Sequence, residues 1–129
     1  MRKLKPEAQL VELLVKTAPL LHCQYIVIPD MIPTRDRIRA NMPEHRKPFD
    51  GVLVTFKGCY AIECKANYNK QMPHQERIEK AMNSVCYSAY YVIKMIVNKT
   101  RAKFQIIQED TVHFETDRIE EVIRWFMKV

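Results

Sequence analysis

Asp50-Gly51-Val52-Leu53-Val54-Thr55-Phe56-Lys57-Gly58-Cys59-Tyr60-Ala61-Ile62-Glu63-Cys64-Lys65 is the stretch that decides the fold. Two apolar, β-branched runs flank a Gly-containing dipeptide, which predicts a hairpin closed by a two-residue turn. With Lys57-Gly58 as that turn, Phe56 faces Cys59, Val54 faces Ala61, Val52 faces Glu63 and Asp50 faces Lys65. Side chains alternate along a strand, so Asp50, Glu63 and Lys65 are expected on one face. Asp50 is then diagonal to Glu63, and their carboxylates are expected roughly 5–8 Å apart, near enough to share one metal ion.

The bland alternative is a solvated strand end, where an acid and a lysine pair for about 0–1 kcal/mol. A D…E-x-K match taken alone favours that alternative, because the pattern is short. The flanking strands, however, are apolar on both faces, which argues for a buried central hairpin. Charges at the end of a buried hairpin usually serve a purpose.

The 129 residues can bury one core but not two, so 1–129 is expected to form a single domain. No stretch approaches the roughly 18 apolar residues needed to cross a bilayer. The basic start Met1-Arg2-Lys3-Leu4-Lys5 is followed by no apolar signal core. Cys23, Cys59, Cys64 and Cys86 show neither CxxC nor zinc-finger spacing, so buried reduced thiols and a cytoplasmic protein are expected. The net charge of +6 favours a polyanionic partner. Arg35, Arg37, Arg39, His45, Arg46 and Lys47 fall in one proline-rich segment just before Asp50. That segment reads either as a soluble surface loop, with a short strand near Arg37 to Ala40, or as a phosphate-contacting arm.

Periodicity supplies the remaining elements. A helix is expected from Pro6 to about residue 21, with Leu10, Leu13, Leu14, Thr17, Ala18 and Leu21 on its apolar side. Tyr25 to Ile28 reads as a short strand. Pro73 suits the start of a second helix, with Ile78, Met82, Val85, Cys86 and Ala89 as its apolar stripe. Tyr90 to Val97 and Lys103 to Gln108 read as strands around a turn at Asn98-Lys99-Thr100. Asp117 with Glu120 reads as a capping box that opens a last helix, with Ile119, Val122, Ile123 and Phe126 inward. The sum is a mixed α/β sandwich.

Pro48-Phe49-Asp50, twelve residues, then Glu63-Cys64-Lys65 resembles the signature of the PD-(D/E)XK nuclease superfamily. His74-Gln75 at a helix start and the Ala89 to Ile93 strand extend the likeness. The order is similar to that of small archaeal-type Holliday-junction resolvases, their phage relatives and VRR-type nuclease domains. The match runs from about Pro48 to Val97, and the usual Pro-Asp pair is here Pro-Phe-Asp.

The resemblance implies a restriction-endonuclease-like fold, a mixed central sheet flanked by helices with an αβββαβ core. It implies phosphodiester hydrolysis on DNA, branched or duplex, with Mg²⁺ as cofactor and Mn²⁺ as a substitute, and a homodimer, because a four-way junction needs two symmetric cuts. Asp50 and Glu63 would be metal ligands, with the backbone carbonyl of Cys64 beside them. Lys65 would give electrostatic help rather than act as a general base. Gln75 would bind a phosphate oxygen or a water on the metal, although an exposed polar residue in a first turn looks the same in sequence. A glutamate of the first helix would complete the site, Glu7 in preference to Glu12. Arg35, Arg37, Arg39, Arg46 and Lys47 would contact DNA. Two rival expectations are a non-catalytic nucleic-acid-binding module on the same fold and a small α/β protein-interaction domain.

Overall fold

The computed structural model describes residues 5–29 and 47–128. Helix α1 (Pro6–Thr17) is followed by a 3-10 turn at Ala18–Leu21, where Pro19 removes an amide donor and the chain tightens. Strands β1 (Gln24–Val27), β2 (Gly51–Thr55) and β3 (Gly58–Ala66) come next, then helix α2 (Pro73–Val85). Strands β4 (Tyr90–Asn98), β5 (Arg101–Gln108) and β6 (Thr111–Thr116) lead to helix α3 (Ile119–Trp125).

The six strands form one sheet in chain order. Only β3 and β4 run parallel, joined by the α2 crossover, and the other neighbours are antiparallel. Helices lie on both faces, so the mixed, helix-flanked α/β architecture expected from the sequence is the one observed. On one face Leu10 and Leu14 of α1 and Val122 and Ile123 of α3 are fully buried against Ile62, Ile93 and Ile106 of the sheet. Ile119 and Phe126 join this core, as the helical spacing predicts. On the other face Ile78 and Met82 of α2 cover Ala61, Tyr90 and Val92.

The hairpin turn differs from expectation. Thr55 pairs with Gly58, so Phe56 and Lys57 form the loop rather than Lys57-Gly58. The Thr55 hydroxyl accepts from the Lys57 N–H at 3.1 Å and donates to the Gly58 carbonyl at 3.3 Å, which holds the turn one residue earlier. Gly58 supplies a φ of 154° at the strand entry. Val52 therefore faces Ala61, not Glu63, and Gly51 faces Ile62. Each partner moves by two residues, and the side-chain period is two, so every side chain keeps its face.

Three further expectations are corrected. The α2 stripe holds only in part: Ile78 and Met82 pack on the sheet, but Val85 and Cys86 are exposed, and the buried helix positions are Glu79 and Asn83. Both meet backbone donors that would otherwise be stranded, Glu79 the N–H of Glu109 at 3.1 Å and Asn83 the N–H of Tyr90 at 3.1 Å. Asp117 does not cap α3; the capping position is Arg118, which makes no side-chain cap hydrogen bond. Strand β6 was not expected from the sequence, and it enters through Glu109 and Asp110, both in the left-handed region. All four cysteines are free; Cys23 and Cys64 are buried, but Cys59 and Cys86 are exposed. Among the described residues no helix is long and apolar enough to cross a membrane.

Candidate active site

A cleft of about 810 Å³ opens where β3 leaves the sheet, between the first turns of α1 and α2. Each helix begins with a proline, Pro6 and Pro73, whose missing amide N–H suits a first helical turn. Asp50, Glu63, Lys65 and Gln75 all line this cleft, and so do Lys47 and Glu7.

Asp50 is fixed from both strands beside it. Its N–H donates to the Ile62 carbonyl and its own carbonyl accepts from the Ile28 N–H, each at 3.0 Å. Its Oδ2 accepts from the Cys64 N–H at 2.7 Å, a short bond to a carboxylate. That bond lays the Asp50 carboxylate across the end of β3, next to Glu63. Glu63 and Lys65 alternate with Cys64 along β3, and all three are buried. The Cys64 thiol turns to the opposite face, where the Tyr25 hydroxyl lies 3.6 Å from Sγ. Burial, then the Asp50 charge, pushes the Cys64 thiol well above its ordinary range, so it is a neutral group.

Glu63 carries a strong electrostatic signature in the cleft. Its carboxyl is pushed up to about 8, first by burial, then by the Asp50 charge and a hydrogen bond between the two carboxyl groups. Lys65 and Lys47 oppose the rise without cancelling it. Lys65 Nζ lies 3.9 Å from Glu63 Oε1, a loose pairing. Gln75 makes the closer contact, with Nε2 donating to Glu63 Oε1 at 2.5 Å. Gln75 Oε1 accepts from the Met72 N–H at 2.8 Å and so also closes the first turn of α2.

Lys47 is placed differently from a free phosphate-contacting arm. Its Nζ lies 3.2 Å from Asp50 Oδ1 and donates to the Ile28 carbonyl at 3.4 Å. Arg35, Arg37, Arg39, His45 and Arg46 lie outside the described residues. Glu7 stands on the α1 wall of the cleft, where Asn69 Nδ2 donates to its Oε1 at 3.5 Å. Glu12 instead pairs with Lys16 at 2.5 Å along the helix. Residues that sequence reasoning did not place in the site are Lys5, Asn67, Asn69 and His74, all of which line the cleft.

The donor set fits a small hard cation. The buried Glu63 carboxyl, raised by its burial and by the neighbouring Asp50 charge, sits where a divalent ion would supply the opposing charge. Among the described residues no three His, Cys, Asp or Glu side chains come together as a ligand set. Mg²⁺ needs no more than one or two carboxylates, because it keeps waters and takes substrate phosphate oxygens.

Among solved structures the chain is similar to Hjc, a Holliday junction resolvase from the archaeal hyperthermophile Archaeoglobus fulgidus. The TM-score is 0.50, with 16% identity over 93% of this chain and 97% of that one. No protein-family model matches the sequence, and a search of curated proteins finds no match. The likeness is one of fold, a distant relation to a nuclease-like architecture, and the chemistry is left to the residues.

Proposed function

We propose that this chain is a Mg²⁺-dependent endodeoxyribonuclease of the PD-(D/E)XK type that hydrolyses phosphodiester bonds, with branched or junction DNA as its preferred substrate. The observation that carries the reading is the placement of Asp50 beside the buried Glu63, whose burial and the Asp50 charge raise the Glu63 carboxyl to about 8. A structural ion pair lowers a carboxyl; a pair of acids pressed together raises one, and that arrangement recurs at catalytic sites.

Asp50 and Glu63 would hold the cation through their carboxylate oxygens, with the Cys64 carbonyl beside them and Glu7 reaching from the opposite wall. A divalent ion, when bound, supplies charge against the scissile phosphate and makes water a better nucleophile. Lys65 adds a fixed positive charge where negative charge grows on the phosphate oxygens. Gln75 keeps Glu63 from turning away, since its amide bonds the carboxylate while its carbonyl is tied to the α2 start. Arg35, Arg37, Arg39 and Arg46 would neutralise DNA phosphates, and each one lost is expected to reduce the salt slope of binding by about one. A homodimer suits a two-strand cut, and a DNA-acting protein of this kind would work in the cytoplasm.

The Lys47–Asp50 ion pair favours a second reading, the non-catalytic DNA-binding module, because a built-in cation already partners one of the acids. Incubation with Mg²⁺ or Mn²⁺ and labelled four-way, flap and linear DNA separates the two. The nuclease reading predicts cutting that EDTA stops and Lys65→Ala abolishes, with binding retained. Normal cutting by Lys65→Ala would refute the site assignment.

A further inference from the structure

The connection from β3 to α2 has a two-fold pattern that the reading above does not use. Asn67, Asn69 and Gln71 each tie a side chain to another element. Asn67 adopts a left-handed conformation at φ 54° and accepts from the Val97 N–H at 3.0 Å, while its own N–H donates to the Met95 carbonyl at 2.8 Å. Asn69 donates to Glu7 Oε1, and its N–H donates to the Ala66 carbonyl at 3.1 Å. Gln71 donates to the buried Glu79 at 2.9 Å and accepts from the Tyr90 hydroxyl at 2.9 Å. The loop is thus tied to α1, the sheet and α2 at once.

The alternate residues Tyr68, Lys70 and Met72 are exposed, Tyr68 at 88% and Met72 at 48%. Asn67 and Asn69, on either side of Tyr68, line the cleft that holds Asp50 and Glu63. A tyrosine ring is held in water by a pinned backbone, between two residues that line the cleft, with a lysine two residues on. A ring that served the core would be turned inward, and one on a slack loop would fold down onto the surface. A rigid, exposed aromatic beside a phosphodiester site has a ready partner in a nucleobase, because every base offers a face to stack on. Only an unpaired or unstacked base offers that face freely; within a continuous duplex it is covered on both sides.

We infer that Tyr68 is a stacking platform for an unpaired nucleobase next to the scissile phosphate, with Lys70 on the adjoining backbone, so that this loop selects branched or frayed DNA over continuous duplex. The inference deepens the nuclease reading and rests on it for the word scissile; the stacking itself does not depend on cutting.

The test pairs a binding signal with a cutting ratio. The fluorescent adenine analogue 2-aminopurine is placed unpaired at a branch point and, separately, inside linear duplex. Binding is followed in EDTA with wild type, Tyr68→Ala and Tyr68→Phe, and cutting of both DNAs is measured with Mg²⁺. Wild type and Tyr68→Phe are expected to quench the unpaired probe, and Tyr68→Ala to lose that quenching. The branched-to-linear cutting ratio is expected to fall roughly ten-fold or more in Tyr68→Ala and to hold in Tyr68→Phe. A probe quenched equally by Tyr68→Ala, or a ratio it leaves unchanged, overturns the inference; a loop that served a protein partner would give that result. If no variant cuts any DNA, the nuclease reading fails by itself, and the 2-aminopurine signal alone decides whether Tyr68 stacks.

Discussion

Gln75 Nε2 donates to Glu63 Oε1 at 2.5 Å, and through this one bond the first turn of α2 sets the direction of a buried acid on β3. The same side chain accepts from the Met72 N–H, so its removal opens both the helix cap and the acid's support. Gln75→Ala is expected to lower stability by about 1 kcal/mol. It is expected to slow single-turnover cutting at least ten-fold with little change in DNA affinity. Chemical denaturation and rapid-quench kinetics measure the two effects, and a variant that keeps the wild-type cutting rate contradicts the positioning role.

Glu63 makes stability depend on pH in a definite direction. Its folded carboxyl stands at about 8 against an ordinary 4.5, so between those values the folded chain keeps a proton that the unfolded chain has released. The contribution is complete below about pH 4.5 and is lost as pH rises through about 8. Metal-free protein is expected to lose several degrees of Tm through this group between about pH 5 and pH 8.5. Glu63→Gln is expected to flatten that loss, and Mn²⁺ to reverse it in wild type only. A Tm profile that Glu63→Gln leaves unchanged counts against the buried acid pair.

Glu79 is buried and accepts from the Gln71 amide and from the Glu109 N–H, so truncation strands two donors. Burial raises its carboxyl above the ordinary range. A neutral isostere is therefore the milder change. Glu79→Ala is expected to cost about 2–4 kcal/mol and Glu79→Gln about half that, read from urea midpoints at constant m-value. Equal losses in the two variants would mean that the hydrogen bonds are not what the carboxyl provides.

Gly51 stands where β2 passes Tyr25. A Cβ there would meet the Tyr25 ring at 2.5 Å and the Ile26 carbonyl at 2.7 Å. The ring cannot move freely, since it is buried against Cys64. Gly51→Ala is expected to destabilise by about 1–3 kcal/mol and, because Asp50 is the next residue, to disturb the acid pair. An alanine variant with wild-type thermal stability would show that this contact is slack.

Much of the fold was legible because periodicity survives errors of detail. The hairpin turn was placed one residue late, yet Asp50, Glu63 and Lys65 still reach one cleft, since a shift of two leaves faces intact. Glycine suggests a loop residue, whereas Gly58 serves the strand entry and the Thr55 hydroxyl closes the reversal. Strand β6 was illegible for a related reason. Its two-residue turn is Glu109-Asp110, which takes left-handed backbone without the usual Asn or Gly. The edge strand itself is mostly exposed, and Val112 and Phe114 alone offer too short an alternation to stand out, although Phe114 packs on the core.

The α2 stripe is legible in Ile78 and Met82 but not beyond them: apolar spacing also suggests Val85 and Cys86, while the helix turns Glu79 and Asn83 toward backbone donors that only tertiary structure creates. The Lys47–Asp50 pair has an i,i+3 spacing visible in the sequence, but the run of basic residues that ends at Lys47 masks it.

Calorimetric titration of Mn²⁺ at pH 7, in buffers of different ionisation enthalpy, tests the paired acids most directly. Wild type is expected to bind the ion and release close to one proton, the one held by Glu63, while Asp50→Ala does neither. Binding without proton release, or binding by Asp50→Ala as strong as by wild type, would contradict the account.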